Sequence, residues 1–125
     1  MTQLFSNNAG SSLSAAITSA ATSMDLVSAG NLPTPTGGDY FLLTLLGLNA
    51  SGVESVWEII KCTARTNNTL TVVRAQEGTT GAAWPLGSVC QMRPTAGTFS
   101  AKADLSTYTV FAAANHLNQN FGAFK

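Results

Sequence analysis

Apolar residues in this chain fall in short runs broken by Gly, Pro and Asn, and none of the runs has the length of an ordinary amphipathic helix. Tyr40-Phe41-Leu42-Leu43-Thr44-Leu45-Leu46 lies between Gly38 and Gly47, and its unbroken apolar character predicts a strand buried on both faces. From Val56 to Cys62, Val56, Ile60 and Cys62 mark one face while Trp57 and Ile59 sit on the other. Thr69-Leu70-Thr71-Val72-Val73-Arg74 is rich in β-branched residues and is the clearest strand. The Asn67-Asn68 turn before it predicts a hairpin with the preceding segment, Val56 to Arg65. Met24 to Val27 and Val89 to Arg93 read as short strands, the second ended by Pro94.

The connections carry turn chemistry. Asn31 to Gly38 holds Pro33, Pro35, Gly37 and Gly38, and Gly78 to Gly87 is a loop containing Trp84-Pro85. Near the C-terminus, Thr107 to Phe111 has strand residues, and Ala112, Ala113 and Leu117 share a helical spacing within 112–120. The start, up to Thr22, is dominated by Ser, Ala, Asn and Thr, whose side chains compete for backbone hydrogen bonds and weaken a helix. These patterns predict a mainly β fold: a small antiparallel sandwich or barrel over residues 23–125, an extended N-terminal arm over residues 1–22 reaching outside it, and a short C-terminal helix.

Composition changes the picture at one point. Hydrophobic residues make up 45% of the 125 residues, but charged residues only 10%, where a soluble domain carries about 25%. Charge is depleted at the cores of protein–protein interfaces, and a net charge of zero removes a barrier to self-association. This favours a protein that lives in an assembly, over a monomer with an uncharged polar coat. The six basic residues are scattered, which argues against nucleic acid as a partner. No apolar stretch approaches the roughly 20 residues that span a bilayer. The opening Met1-Thr2-Gln3-Leu4-Phe5 lacks the basic and apolar regions of a secretory signal, so synthesis in the cytosol is expected.

Catalytic constellations are not apparent. His116 is the single histidine and has no nucleophile-elbow motif to serve. Cys62 and Cys90 are far apart in sequence and read as reduced, buried thiols, a disulfide staying open for a particle that leaves the cell. Neither a metal nor a cofactor is expected. Glu54 and Glu58 share one side of a strand, read here as a solvated face. Glu77 follows Arg74 by three residues and is placed to pair with it at a turn.

The most specific part of the chain is Leu70 to Trp84, centred on Arg74-Ala75-Gln76-Glu77-Gly78-Thr79-Thr80. Together with Leu4-Phe5-Ser6-Asn7-Asn8-Ala9, Gly38-Asp39-Tyr40-Phe41, Glu58 to Arg65, Gly87-Ser88 and Thr95-Ala96-Gly97, it resembles a module seen at the N-termini of tailed-bacteriophage fibre proteins and in short phage virion proteins. The likeness runs roughly from Leu4 to Phe99 and implies a fold without implying a reaction. Within it, Arg74 offers five donors to turn carbonyls or to Glu77, Gly78 lets the backbone turn, Thr79 and Thr80 bond their own turn, and Trp84 covers the loop with its ring. In fibres such a module precedes a long shaft, and here the chain ends at Lys125.

The resemblance therefore implies a non-catalytic virion protein, made in the host bacterial cytoplasm, whose partners are other tail, collar or capsid proteins. The expected role is a tail-fibre-base or adaptor component, with capsid decoration as the alternative and a carbohydrate- or receptor-binding module using Trp57, Trp84 or Tyr108 as the second. A homo-oligomer is expected, with a trimer favoured by likeness to fibres. Leu4, Phe5, Phe121 and Phe124 are the candidate docking residues.

Overall fold

The computed structural model describes residues 2–101. They divide into two compact units, one up to Arg93 and one from Pro94. The strand predicted at 107–111, the helix within 112–120, His116, Tyr108, Phe121 and Phe124 lie outside the described residues.

The first unit is a curled antiparallel sheet that forms a half-barrel. Its strands are β1 (Gly10–Ser12), β2 (Ser23–Asp25), β3 (Phe41–Leu48), β4 (Glu54–Thr66), β5 (Thr69–Gln76) and β6 (Val89–Gln91). Their order across the sheet is β1-β6-β3-β4-β5-β2. β3 sits between β4 and β6, and Phe41 to Leu46 are buried on both faces, as their apolar run predicts. β4 and β5 form the expected hairpin through Asn67, which takes the positive φ of 54° that a tight turn needs and that Asn tolerates. Phe41, Leu43 and Leu45 of β3, Ile60 and Cys62 of β4, and Leu70 and Val72 of β5 point into one core. Each such aliphatic side chain contributes about 1.5–3 kcal/mol on burial.

The N-terminal stretch is extended, but it does not lie apart from the sheet. β1 pairs with β6, with Ser11 opposite Cys90. Leu13 and Leu26 then form a bridge pair between the two outer edges of the sheet, flanked by Ser14 N–H to Asp25 O at 2.9 Å and Val27 N–H to Ser12 O at 2.9 Å. Ile17 exchanges both backbone bonds with Trp84, at 2.9 and 3.0 Å. The reason is apolar spacing: Ala9, Leu13 and Ile17 recur every four residues, so an extended chain puts all three on one face, and all three are buried. Residues 2–22 therefore belong to the same compact unit as the strands they close, rather than to an arm outside it.

The second unit, by itself, begins with a helix at 96–101. Thr95 caps it: its Oγ1 accepts the Thr98 N–H at 3.1 Å, and its carbonyl accepts the Phe99 N–H at 3.0 Å. This helix starts at Ala96, ahead of the 112–120 segment where helical spacing is evident in the sequence. Among the described residues no helix is long and apolar enough to cross a membrane.

Candidate functional site

Alternation along β4 places Glu58 on the same face as Ile60 and Cys62, and that face looks into the core. Glu58 is accordingly fully buried. A buried carboxylate is tolerated only when its oxygens are bonded and its charge is paired. Arg74 supplies the charge, donating from Nε to Oε2 at 2.7 Å and from Nη2 to Oε1 at 2.8 Å. Ala75 N–H donates to Oε2 at 3.1 Å, and Ala82 N–H and Trp84 Nε1–H donate to Oε1 at 3.0 and 2.8 Å. Burial alone raises the Glu58 pKa, but the bonds from Arg74, Trp84, Ala82 and Ala75 outweigh it and hold the carboxyl below its ordinary 4.5.

Arg74 reaches further than this pair. Its Nη1 donates to Thr18 O at 2.6 Å and Ala21 O at 3.4 Å, and its Nη2 to Ala82 O at 2.5 Å. One guanidinium thus ties the N-terminal stretch, β4 and the loop after β5 together. Where Gly81 passes Ser19, an added Cβ would stand 3.0 Å from the Ser19 carbonyl, tighter than an ordinary contact, so a larger residue would need these two segments to give by a few tenths of an ångström.

The backbone that delivers Arg74 is bent. Ile59 pairs with Gln76 and Lys61 with Val73, so β5 carries one residue more than β4 across this interval. Ala75 takes up the bulge at φ 54°, a left-handed conformation costly for a residue with a Cβ. Glu77 and Gly78 follow with φ 54° and 80°. Thr79 locks the turn: its Oγ1 donates to Gln76 O at 2.7 Å and accepts Ile59 N–H at 3.1 Å.

Of the motif residues, Arg74 and Trp84 meet on Glu58, Thr79 bonds its own turn, and Gly78 turns the chain with a positive φ. Two expectations are corrected. The carboxylate paired with Arg74 is Glu58, because Arg74 points into the half-barrel while Glu77 and Thr80 are exposed on the turn beyond it. Glu58 is not on a solvated face: its parity with Ile60 and Cys62 was the signal for burial, hidden because a carboxylate is normally exposed. Leu4 packs partly buried against the core, leaving Phe5 as the exposed member of that docking pair. Cys62 and Cys90 are free and buried, and burial pushes both thiols up to about 11.

A second, exposed cluster lies on the outer face. Trp84 is buried, but Trp57 is 48% exposed. Trp57 stands opposite Leu46, which stands opposite Val89. Its Nε1–H donates to Glu54 Oε1 at 2.7 Å. Arg93 forks onto Glu54, Nη1 to Oε1 at 2.8 Å and Nη2 to Oε2 at 2.9 Å, and donates to Gln91 Oε1 from Nε at 3.0 Å and Nη2 at 2.7 Å. The hydrogen bonds from Arg93 and Trp57 hold the Glu54 carboxyl down at about 2. Nearby, Leu46, Gly47, Leu48, Trp84 and residues 85–89 line an open groove of about 340 Å³. Among the described residues, no three His, Cys, Asp or Glu side chains are grouped to hold a metal ion. No protein-family model and no curated protein sequence matches the chain.

Proposed function

We propose that the protein is a non-catalytic structural component of a tailed-bacteriophage particle, acting by docking as a tail-fibre-base or adaptor module. Capsid decoration is the alternative placement. The observation that carries this reading is the use made of the segment in which the resemblance is strongest. Arg74, Thr79 and Trp84 direct their polar groups into the chain's own backbone and Glu58, so the motif builds a scaffold and presents no reactive group to a substrate. The surface is consistent with a docking role: Leu48, Leu86 and Val89 are exposed along the groove, and Val53 and Val56 on the adjoining β3–β4 hairpin.

Scarce charge and exposed apolar residues support a homo-oligomer, and the resemblance to fibres favours a trimer. Light scattering on the purified chain, with immunogold labelling of intact particles, tests the proposal. A trimer mass and label at the tail support it, and label over the head selects decoration. A monomer at every concentration, together with particles that carry no label, overturns it.

A further inference from the structure

We propose that Trp57, Glu54, Arg93 and Gln91 form a binding platform for a neutral saccharide. Trp57 lies on the outer face of β4, half exposed, and its indole is held by the bond from Nε1–H to Glu54. A large aromatic surface left in water and fixed at one edge suits the apolar C–H face of a sugar ring. The rim around it is polar and already ordered, since Arg93 grips the Glu54 carboxylate with two donors and the Gln91 carbonyl with two more. Each of these three groups is planar and bonds in pairs, the geometry that vicinal hydroxyls match.

What the rim has left to offer selects the ligand. Gln91 is exposed, and its amide carries two donors besides the oxygen that Arg93 occupies. Glu54 is about one-third exposed and offers carboxylate oxygens as acceptors. Arg93 and Glu54 cancel each other's charge, so a phosphate or nucleic acid finds no net attraction here. An all-apolar peptide would strip water from three polar groups without replacing their bonds. A hydroxyl-bearing, uncharged ring both stacks and bonds. The platform is open, so affinity is weak, roughly millimolar. The inference stands apart from the virion reading, because particle location and glycan binding are measured separately.

The chain has two tryptophans, so a nitrogen-15 spectrum shows two indole N–H signals, and Trp57→Phe assigns them. Methyl glycosides of glucose, galactose, mannose and N-acetylglucosamine are titrated into the full chain. At least one should shift the Trp57 indole signal saturably while the Trp84 signal stays. Trp57→Ala should abolish binding, Trp57→Phe should retain part of it, and Gln91→Ala should weaken it roughly tenfold. Val73→Ala, an exposed apolar change elsewhere on the sheet, should leave binding unaltered. Thermal melts confirm that each variant is folded. No saturable shift with any of the four glycosides, or binding that survives Trp57→Ala, overturns the proposal. So does a Trp57→Ala variant that changes only the mass in light scattering, which would make this face a protein contact.

Discussion

Glu58 Oε2 lies 2.7 Å from Arg74 Nε, although the pairing of their strands is interrupted between Ile59 and Lys61. The interruption serves the contact. The extra residue in β5 lets Ala75 turn its N–H toward the same carboxylate that Arg74 grips, so charge, backbone bend and indole all meet at one side chain.

Removing one partner of this pair leaves the other buried and unpaired. Arg74→Met should destabilise the protein by about 3–5 kcal/mol, and Glu58→Leu combined with it should recover part of the loss. Urea unfolding of the single and double variants measures both. A loss below about 1 kcal/mol for Arg74→Met would show that the pair contributes little.

Acid should weaken the fold through the same carboxylate. The Glu58 carboxyl is held below its ordinary 4.5 in the folded chain, so near and below that pH the unfolded chain binds the proton more readily. The stabilisation is complete above about pH 4.5 and is lost as pH falls toward the folded value. Unfolding midpoints recorded down the acid range should drop in the wild type and change less in Glu58→Gln. Parallel curves for the two would remove Glu58 as the cause.

Ala75 reports on the bulge. Its φ of 54° suits glycine better than alanine, and its N–H bond to Glu58 does not depend on the side chain. Ala75→Gly should raise stability by roughly 0.5–1 kcal/mol, and Ala75→Val should lower it by more than that. Differential scanning calorimetry orders the three proteins.

The two tryptophans should behave oppositely. Trp84 is buried and bonded to Glu58, so Trp84→Ala should cost about 3–5 kcal/mol. Trp57 is half exposed, and Trp57→Ala should cost about 1 kcal/mol or less. Equal losses in denaturant would contradict their placement.

Deleting residues 2–22 should abolish cooperative folding. It removes Ala9, Leu13 and Ile17 from the core, β1 from β6, and the Thr18 and Ala21 carbonyls from Arg74. A truncated chain with a sharp thermal transition in near-ultraviolet circular dichroism would show that the stretch is dispensable.

Local pattern alone was enough to place the strands around Leu43, Ile60, Val72 and Cys90, because alternation, β-branching and Gly or Pro punctuation act over a few residues. The same local chemistry marked Asn67-Asn68 as a hairpin turn and Gly78 to Thr80 as the turn beyond β5. The tertiary structure decided what no local pattern contains. Leu13 meets Leu26, and Ile17 meets Trp84, because curling brings the sheet's edges and loops together, so a polar stretch that reads as a free arm becomes a closing element. Glu58 rather than Glu77 receives Arg74 because a bulge, defined only by pairing with β4, aims the guanidinium inward across 16 residues of chain. Trp84 is buried and Trp57 exposed for the same reason: the identity of an indole says that it is large and apolar, and only the packing around it settles which ring meets water.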